Sequence, residues 1–194
     1  PIKLVYAGRL YCNRWKTLAA IGNALKEINA EGVRMTLDIY TQEKVSKKQL
    51  EALSPNESLR INGSVRPNEL VQIYRQSDIA LHVESFDRKY RYATRVSFST
   101  KIIDLMASSC AIMAICWDKH AGYQYLKKHD VAFCVSDYEN IKSTLVRLIN
   151  EPKLIHQYAE KAFDCGKQNH RKDHIQTQIR SVFEALIKKK WLHV

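Results

Sequence analysis

At 194 residues, with 45% hydrophobic content and a formal net charge of +11, the chain can bury one good core and presents a surface suited to nucleotides, polyanions or anionic lipid. No apolar run reaches membrane-spanning length and no signal peptide is readable. The five cysteines, Cys12, Cys110, Cys116, Cys134 and Cys165, are odd in number, widely spaced and mostly set in apolar runs. This is a pattern of reduced core thiols in the cytosol, not of a disulfide framework or a zinc site.

The sequence opens at Pro1 directly on strand-like residues, without an initiator Met, as expected for a piece of a longer protein. Strands are predicted over residues 3–7, 34–40, 58–62, 79–83, 111–115 and 132–135, in apolar, β-branched runs. Helical spacing of apolar residues fills the intervals: Leu18, Ile21, Leu25 and Ile28, then Leu70, Ile73 and Tyr74, then Ile102, Leu105 and Met106. Gly32 stands where a cap for the first helix belongs, and Pro67 sits at an allowed first-turn position of the next. Residues 85–96 read as one long irregular loop carrying Arg88, Lys89, Arg91 and Arg95, of a length that in a compact domain is functional or mobile. After Asp137 the pattern is helical to the end, interrupted at Pro152. The final Lys188-Lys189-Lys190-Trp191 suits either a solvated, dipole-matched helix end or an anionic membrane surface. The alternation predicts an α/β domain: a Rossmann-like parallel sheet with helices on both faces.

Two segments carry candidate chemistry. Gly8 and Arg9 follow the first strand, and Lys16 comes seven residues after Arg9. A glycine there lets backbone approach a ligand closely, and Arg and Lys neutralise a diphosphate. The turn Ser97-Phe98-Ser99-Thr100 runs straight into the helix opened by Lys101, a phosphate cradle in which free backbone N–H groups, the helix dipole and an ammonium converge. Asp104, one turn further on the same face, is placed to accept from ribose hydroxyls. The same residues suit a capped helix with a solvated Lys. His170 and His174 have helical metal-ligand spacing but lack a third ligand, and read as surface residues near a helix start. His82 reads as a satisfied core histidine or as a side chain pointing toward the ligand at the strand end, and Tyr90 and Tyr92 alternate with basic residues without forming a nucleic-acid motif.

Taken in order, residues 6–9 with Lys16, 61–65 with 67–70, 77–84 and 98–107 resemble the C-terminal domain of the retaining GT-B glycosyltransferases of the glycosyl transferases group 1 family, over nearly the whole chain. The resemblance implies a donor domain over residues 1–170 and a last helix, 171–194, packing back toward an N-terminal acceptor domain. It implies transfer of a sugar from a nucleotide-sugar to a glycan or lipid-linked acceptor, with retention, in bacterial surface polysaccharide synthesis. It places Arg9, Lys16 and Lys101 on the donor diphosphate as the catalytic cations, with Gly8, Ser97, Phe98, Ser99, Thr100 and Asp104 completing the donor site. No metal or other cofactor is expected. The chain departs from the family where paired glutamates flank a Gly-Phe-Gly turn: Val96 stands at the first glutamate, Ser97 and Ser99 at the glycines, Asp104 at the second acid, and Ser109-Cys110-Ala111 replaces a Gly-x-Pro. The nearest upstream acid is Glu84, a further candidate for the donor site. The expected setting is the cytoplasm, with peripheral contact to an anionic membrane and no nucleic-acid partner. The rival readings are a nucleotide-binding domain without transfer activity and a basic nucleic-acid-binding module.

Overall fold

Strands that are apolar at every position need cover on both faces, and Ile79–Val83 and Ala111–Ile115 are buried throughout. The computed structural model describes the backbone of residues 1–191 and the side chains of residues 1–187. In chain order it contains β1 (Ile2–Ala7), α1 (Arg14–Ile28), β2 (Met35–Tyr40), α2 (Lys47–Leu53), β3 (Leu59–Asn62), α3 (Pro67–Arg75), β4 (Ile79–Val83) and α4 (Arg88–Thr94). There follow α5 (Lys101–Met106), β5 (Ala111–Ile115), α6 (Ala121–Lys128), β6 (Phe133–Val135), α7 (Glu139–Asn150), α8 (Lys153–Asn169) and α9 (Lys172–Trp191). The sheet is parallel throughout, in the order β3-β2-β1-β4-β5-β6.

Alternation along each strand splits the core in two. Leu4, Tyr6, Leu81 and Met113 point to a cluster covered by Leu18 and Leu25 of α1 and Leu145 and Leu148 of α7. Val5, Ala80, Ile112 and Ala114 point the other way, under Ile102 and Leu105 of α5, Leu126 of α6 and Ala162 of α8. The predicted two-faced α/β sheet is therefore the observed one, and each of the six predicted strands forms.

Three helices were not anticipated, each for a physical reason. The segment read as an irregular loop contains α4, none of whose residues is buried, so no apolar stripe marks it. Short α2 buries only Leu53 and is held by a capping box between Ser46 and Gln49. Within α6 the apolar positions are few, two of them tyrosines, and they are interrupted by Gly122. The first helix is closed by Asn29, not by Gly32: the Asn29 Oδ1 accepts from the amides of Arg34 at 2.8 Å and Met35 at 3.1 Å. Gly32, at φ 136°, forms the turn beyond. Pro67 stands at the start of α3 as expected. No helix among the described residues is long and apolar enough to cross a membrane. The side chains of the basic end at residues 188–191 lie outside the described residues.

Candidate functional site

Numbering runs outward from β1 to β3 and then returns to β4, so the strand order reverses between β1 and β4. In an open α/β sheet the crevice at the carboxyl side of such a reversal is where ligands bind. Ala7, Gly8 and Arg9 leave β1 on one side of it, and Glu84 leaves β4 on the other. Cys12 and Asn13, both in the left-handed region at φ 56° and 58°, turn the chain sharply into α1. Asn tolerates that conformation, whereas Cys12 holds it at a cost of about 1–2 kcal/mol.

That turn delivers Arg14 to Glu84. The guanidinium donates to both carboxylate oxygens, from Nε at 2.9 Å and from the second nitrogen at 2.8 Å, with side-chain exposures of 16% and 8%. Burial opposes the Arg14 charge, but the hydrogen bonds and attraction of Glu84 outweigh it and raise the Arg14 pKa. The Thr17 hydroxyl donates to the Glu84 backbone carbonyl at 2.8 Å. Glu84 is thus a buried brace between β4 and α1, with both oxygens engaged by Arg14, not a carboxylate facing ligand.

Lys101, the first residue of α5, reaches back over β1. Its Nζ lies 4.5 Å from the centroid of the Tyr6 ring, in the space that a Cβ on Gly8 would fill. Tyr6 is fixed in turn, its hydroxyl donating to the Arg9 carbonyl at 2.7 Å. Burial pushes the Lys101 ammonium down to about 8; repulsion from Arg14 adds to this, and Glu84 and Asp104 offset part of it. This half-buried cation has aromatic surface beneath it and acids only at a distance, so an incoming anion would meet it directly.

The turn before α5 is held by contacts of its own. The Ser97 amide already donates to the Thr94 carbonyl at 2.9 Å, so only its exposed side chain is open to a ligand. The Phe98 ring stacks edge-on against Tyr125 with centroids 5.2 Å apart, anchoring the turn to α6. The Ser99 and Thr100 carbonyls accept from Ile102 and Ile103 and wind the first turn of α5. Between α3 and α5 lies a cleft of about 630 Å³ whose wall includes Ala7, Tyr74, Thr100, Lys101 and Asp104. A smaller hollow of about 270 Å³, lined by Gly8, Arg9, Thr41 and Ser64, shares Ala7 and Leu70 with it. Together they form one groove across the carboxyl ends of β1 and β2. It brings together Gly8, Arg9, Thr100, Lys101 and Asp104. Lys16 is held elsewhere, donating to Asp87 at 2.8 Å.

Other residues singled out in the sequence have different roles. His170 caps α8 and pairs through Nε2 with the Tyr125 hydroxyl at 2.8 Å, so it is tied to α6 while His174 is exposed. His82 is buried as expected, yet its Nε2 has no hydrogen-bond partner, so it is not a satisfied core histidine. Next to it stand Cys116 and His120, and these three are the described residues whose donor atoms cluster closely enough to hold a metal ion. That cluster and the Arg14–Glu84 brace carry no local signal along the chain, because their members lie on separate elements. All five cysteines are free thiols.

No curated protein sequence matches the chain. Among solved structures it is similar to the C-terminal domain of the glycosyl transferase group 1 family protein LpcC of Francisella tularensis, at 16% identity and a TM-score of 0.64, over 88% of this chain and 87% of that one. It is similar to the sucrose-phosphate synthase of Thermosynechococcus elongatus, at 14% identity and a TM-score of 0.72, over 97% of this chain and 46% of the other. It also resembles Anabaena HepE, solved with UDP-glucose, at 17% identity and a TM-score of 0.70, over 95% of this chain and 49% of the other. The chain thus spans less than half the length of the latter two proteins and matches their fold. A model of the glycosyl transferase-like family matches residues 5–181, and the chain, folded as the C-terminal domain of a GT-B enzyme, belongs to that family.

Proposed function

We propose that this chain is the donor-binding half of a retaining glycosyltransferase, which takes a nucleotide-sugar into the groove between α3 and α5. The observation that carries the reading is Lys101: a half-buried ammonium at the strand-order reversal, opening on a cleft of about 630 Å³ that also holds Asp104. A sugar transferred from a nucleoside diphosphate leaves negative charge on the departing phosphate. Fixed cations stabilise that charge most where water is excluded. In this reading Lys101 and Arg9 bind the diphosphate, Thr100 a phosphate oxygen through its exposed hydroxyl, and Asp104 the ribose. Lys16 joins them on release from Asp87. With the leaving diphosphate itself taking up the acceptor proton on the sugar's front face, retention follows and these cations supply the charge the step needs without a metal.

The acceptor, a glycan or a lipid-linked sugar in bacterial surface polysaccharide synthesis, would be held by an N-terminal domain. Support for such a partner comes from α9, where Ile179, Val182, Phe183, Leu186 and Ile187 share one face and are 51–61% exposed. That stripe suits burial against another domain. The setting is the cytoplasm, with the basic end of the chain near anionic lipid.

One observation favours a second reading, a donor-binding domain that has lost transfer: Val96, at the family's first glutamate, is 80% exposed, and Glu84 is locked to Arg14. Both readings are tested first by thermal melts with UDP-, GDP- and ADP-sugars and with a single-stranded oligonucleotide. Stabilisation by one nucleotide class, and none by the oligonucleotide, is the expected result. Stabilisation by the oligonucleotide alone would overturn both.

A further inference from the structure

His82 lies on β4, Cys116 follows β5 and His120 caps the start of α6, and all three are at most 2% exposed. Each offers one donor atom, and these atoms lie within 4.8 Å of one another. The Nε2 atoms of both histidines are buried without a hydrogen-bond partner, a condition that folded proteins rarely leave unanswered. The two rings stand with centroids 5.7 Å apart and planes tilted by 49°, so neither stacking nor hydrogen bonding between them satisfies those nitrogens.

We infer that His82, Cys116 and His120 form a zinc site clamping the carboxyl ends of β4 and β5 to the start of α6. Two imidazoles and a thiol exclude magnesium and calcium, which require oxygen ligands, and suit zinc or copper; zinc, which imposes no geometry of its own, is the ion we assign. Three protein ligands leave the fourth tetrahedral position to water. Binding converts the Cys116 thiol to a thiolate and releases one proton to solvent. At His120 the Nδ1 accepts from the Gly122 amide at 3.2 Å. Ligation through Nε2 moves the ring proton to Nδ1, so that hydrogen bond is exchanged for the metal bond and the Gly122 amide reports occupancy.

The test is metal content of the protein purified without chelator, followed by cobalt titration of the chelator-treated chain. One metal per chain is expected, with tetrahedral cobalt bands and a thiolate-to-cobalt charge-transfer band that Cys116→Ser removes. Zinc should raise the melting temperature by several degrees through preferential binding to the folded state and shift the Gly122 amide resonance. Should stripping the metal unfold the chain, cobalt supplied during refolding gives the same spectrum. Native circular dichroism with no uptake of zinc or cobalt would overturn the site and leave a trapped water as the partner of the two Nε2 atoms. So would a charge-transfer band that survives Cys116→Ser.

Discussion

The ammonium of Lys101 stands where a side chain on Gly8 would have its Cβ. Ninety-odd residues of chain separate the two, yet each fixes what the other can be: a glycine ends β1 so that a cation from α5 can cross above it. The nearest obstructed atom is the end of a flexible side chain, but the fixed Tyr6 ring lies 3.0–3.2 Å from the same point, so Gly8→Ala should cost about 1–3 kcal/mol of stability. The displaced ammonium should weaken nucleoside diphosphate binding by about tenfold, or about 1.4 kcal/mol. Thermal melts and calorimetry on the same variant separate the two effects.

Lys101 also predicts a pH dependence. Its pKa of about 8 in the folded chain is below the ordinary lysine value, mainly through burial. Between those values the unfolded chain binds more protons than the folded one, so the Lys101 contribution to stability improves as pH rises from 8 upward. Diphosphate affinity should move oppositely, falling as the ammonium is lost above pH 8. Lys101→Met should flatten both profiles and leave the ligand-free domain as stable as the parent or more so at neutral pH. A parallel fall of affinity in Lys101→Met would assign the titration to another group.

The Arg14–Glu84 brace is buried at Glu84 and half-buried at Arg14, and removing one partner strands a charge. Glu84→Gln should cost about 3–5 kcal/mol of stability. Arg14→Met combined with Glu84→Met should cost much less than the sum of the single changes, which a double-mutant cycle from denaturant unfolding measures.

Lys16 and Asp87 make an outer pair, with side-chain exposures of 40% and 33%, worth about 0–1 kcal/mol. Asp87→Asn should leave the melting temperature nearly unchanged and free Lys16 for the diphosphate. Tighter nucleotide binding at low salt, lost as salt screens it, is the expected outcome of a titration at two ionic strengths.

How far the sequence reveals this molecule depends on how local each signal is. Ile79–Val83 and Ala111–Ile115 are legible because a parallel strand covered on both faces is apolar throughout. Arg88–Thr94 is not, because a helix with no buried face carries no periodicity. Gly8, Arg9, Lys101 and Asp104 are readable as chemistry from turns at strand ends, and the fold gathers them in one groove. The partners that constrain them are not readable. Nothing near Glu84 announces that Arg14, seventy positions away, will occupy both of its oxygens, and nothing near Lys16 announces Asp87. Spacing along the chain shows which residue types stand at the cleft, whereas charge balance within it is decided by contacts across elements.

Whether the groove beside Lys101 holds the diphosphate of a nucleotide-sugar is decided by calorimetric titration of the chain with UDP, GDP and ADP, repeated on Lys101→Ala and Asp104→Ala. Saturable binding of one of the three, weakened by both substitutions in variants that melt like the parent, is expected. Binding that both variants retain at full strength would place the ligand elsewhere and contradict the proposed site.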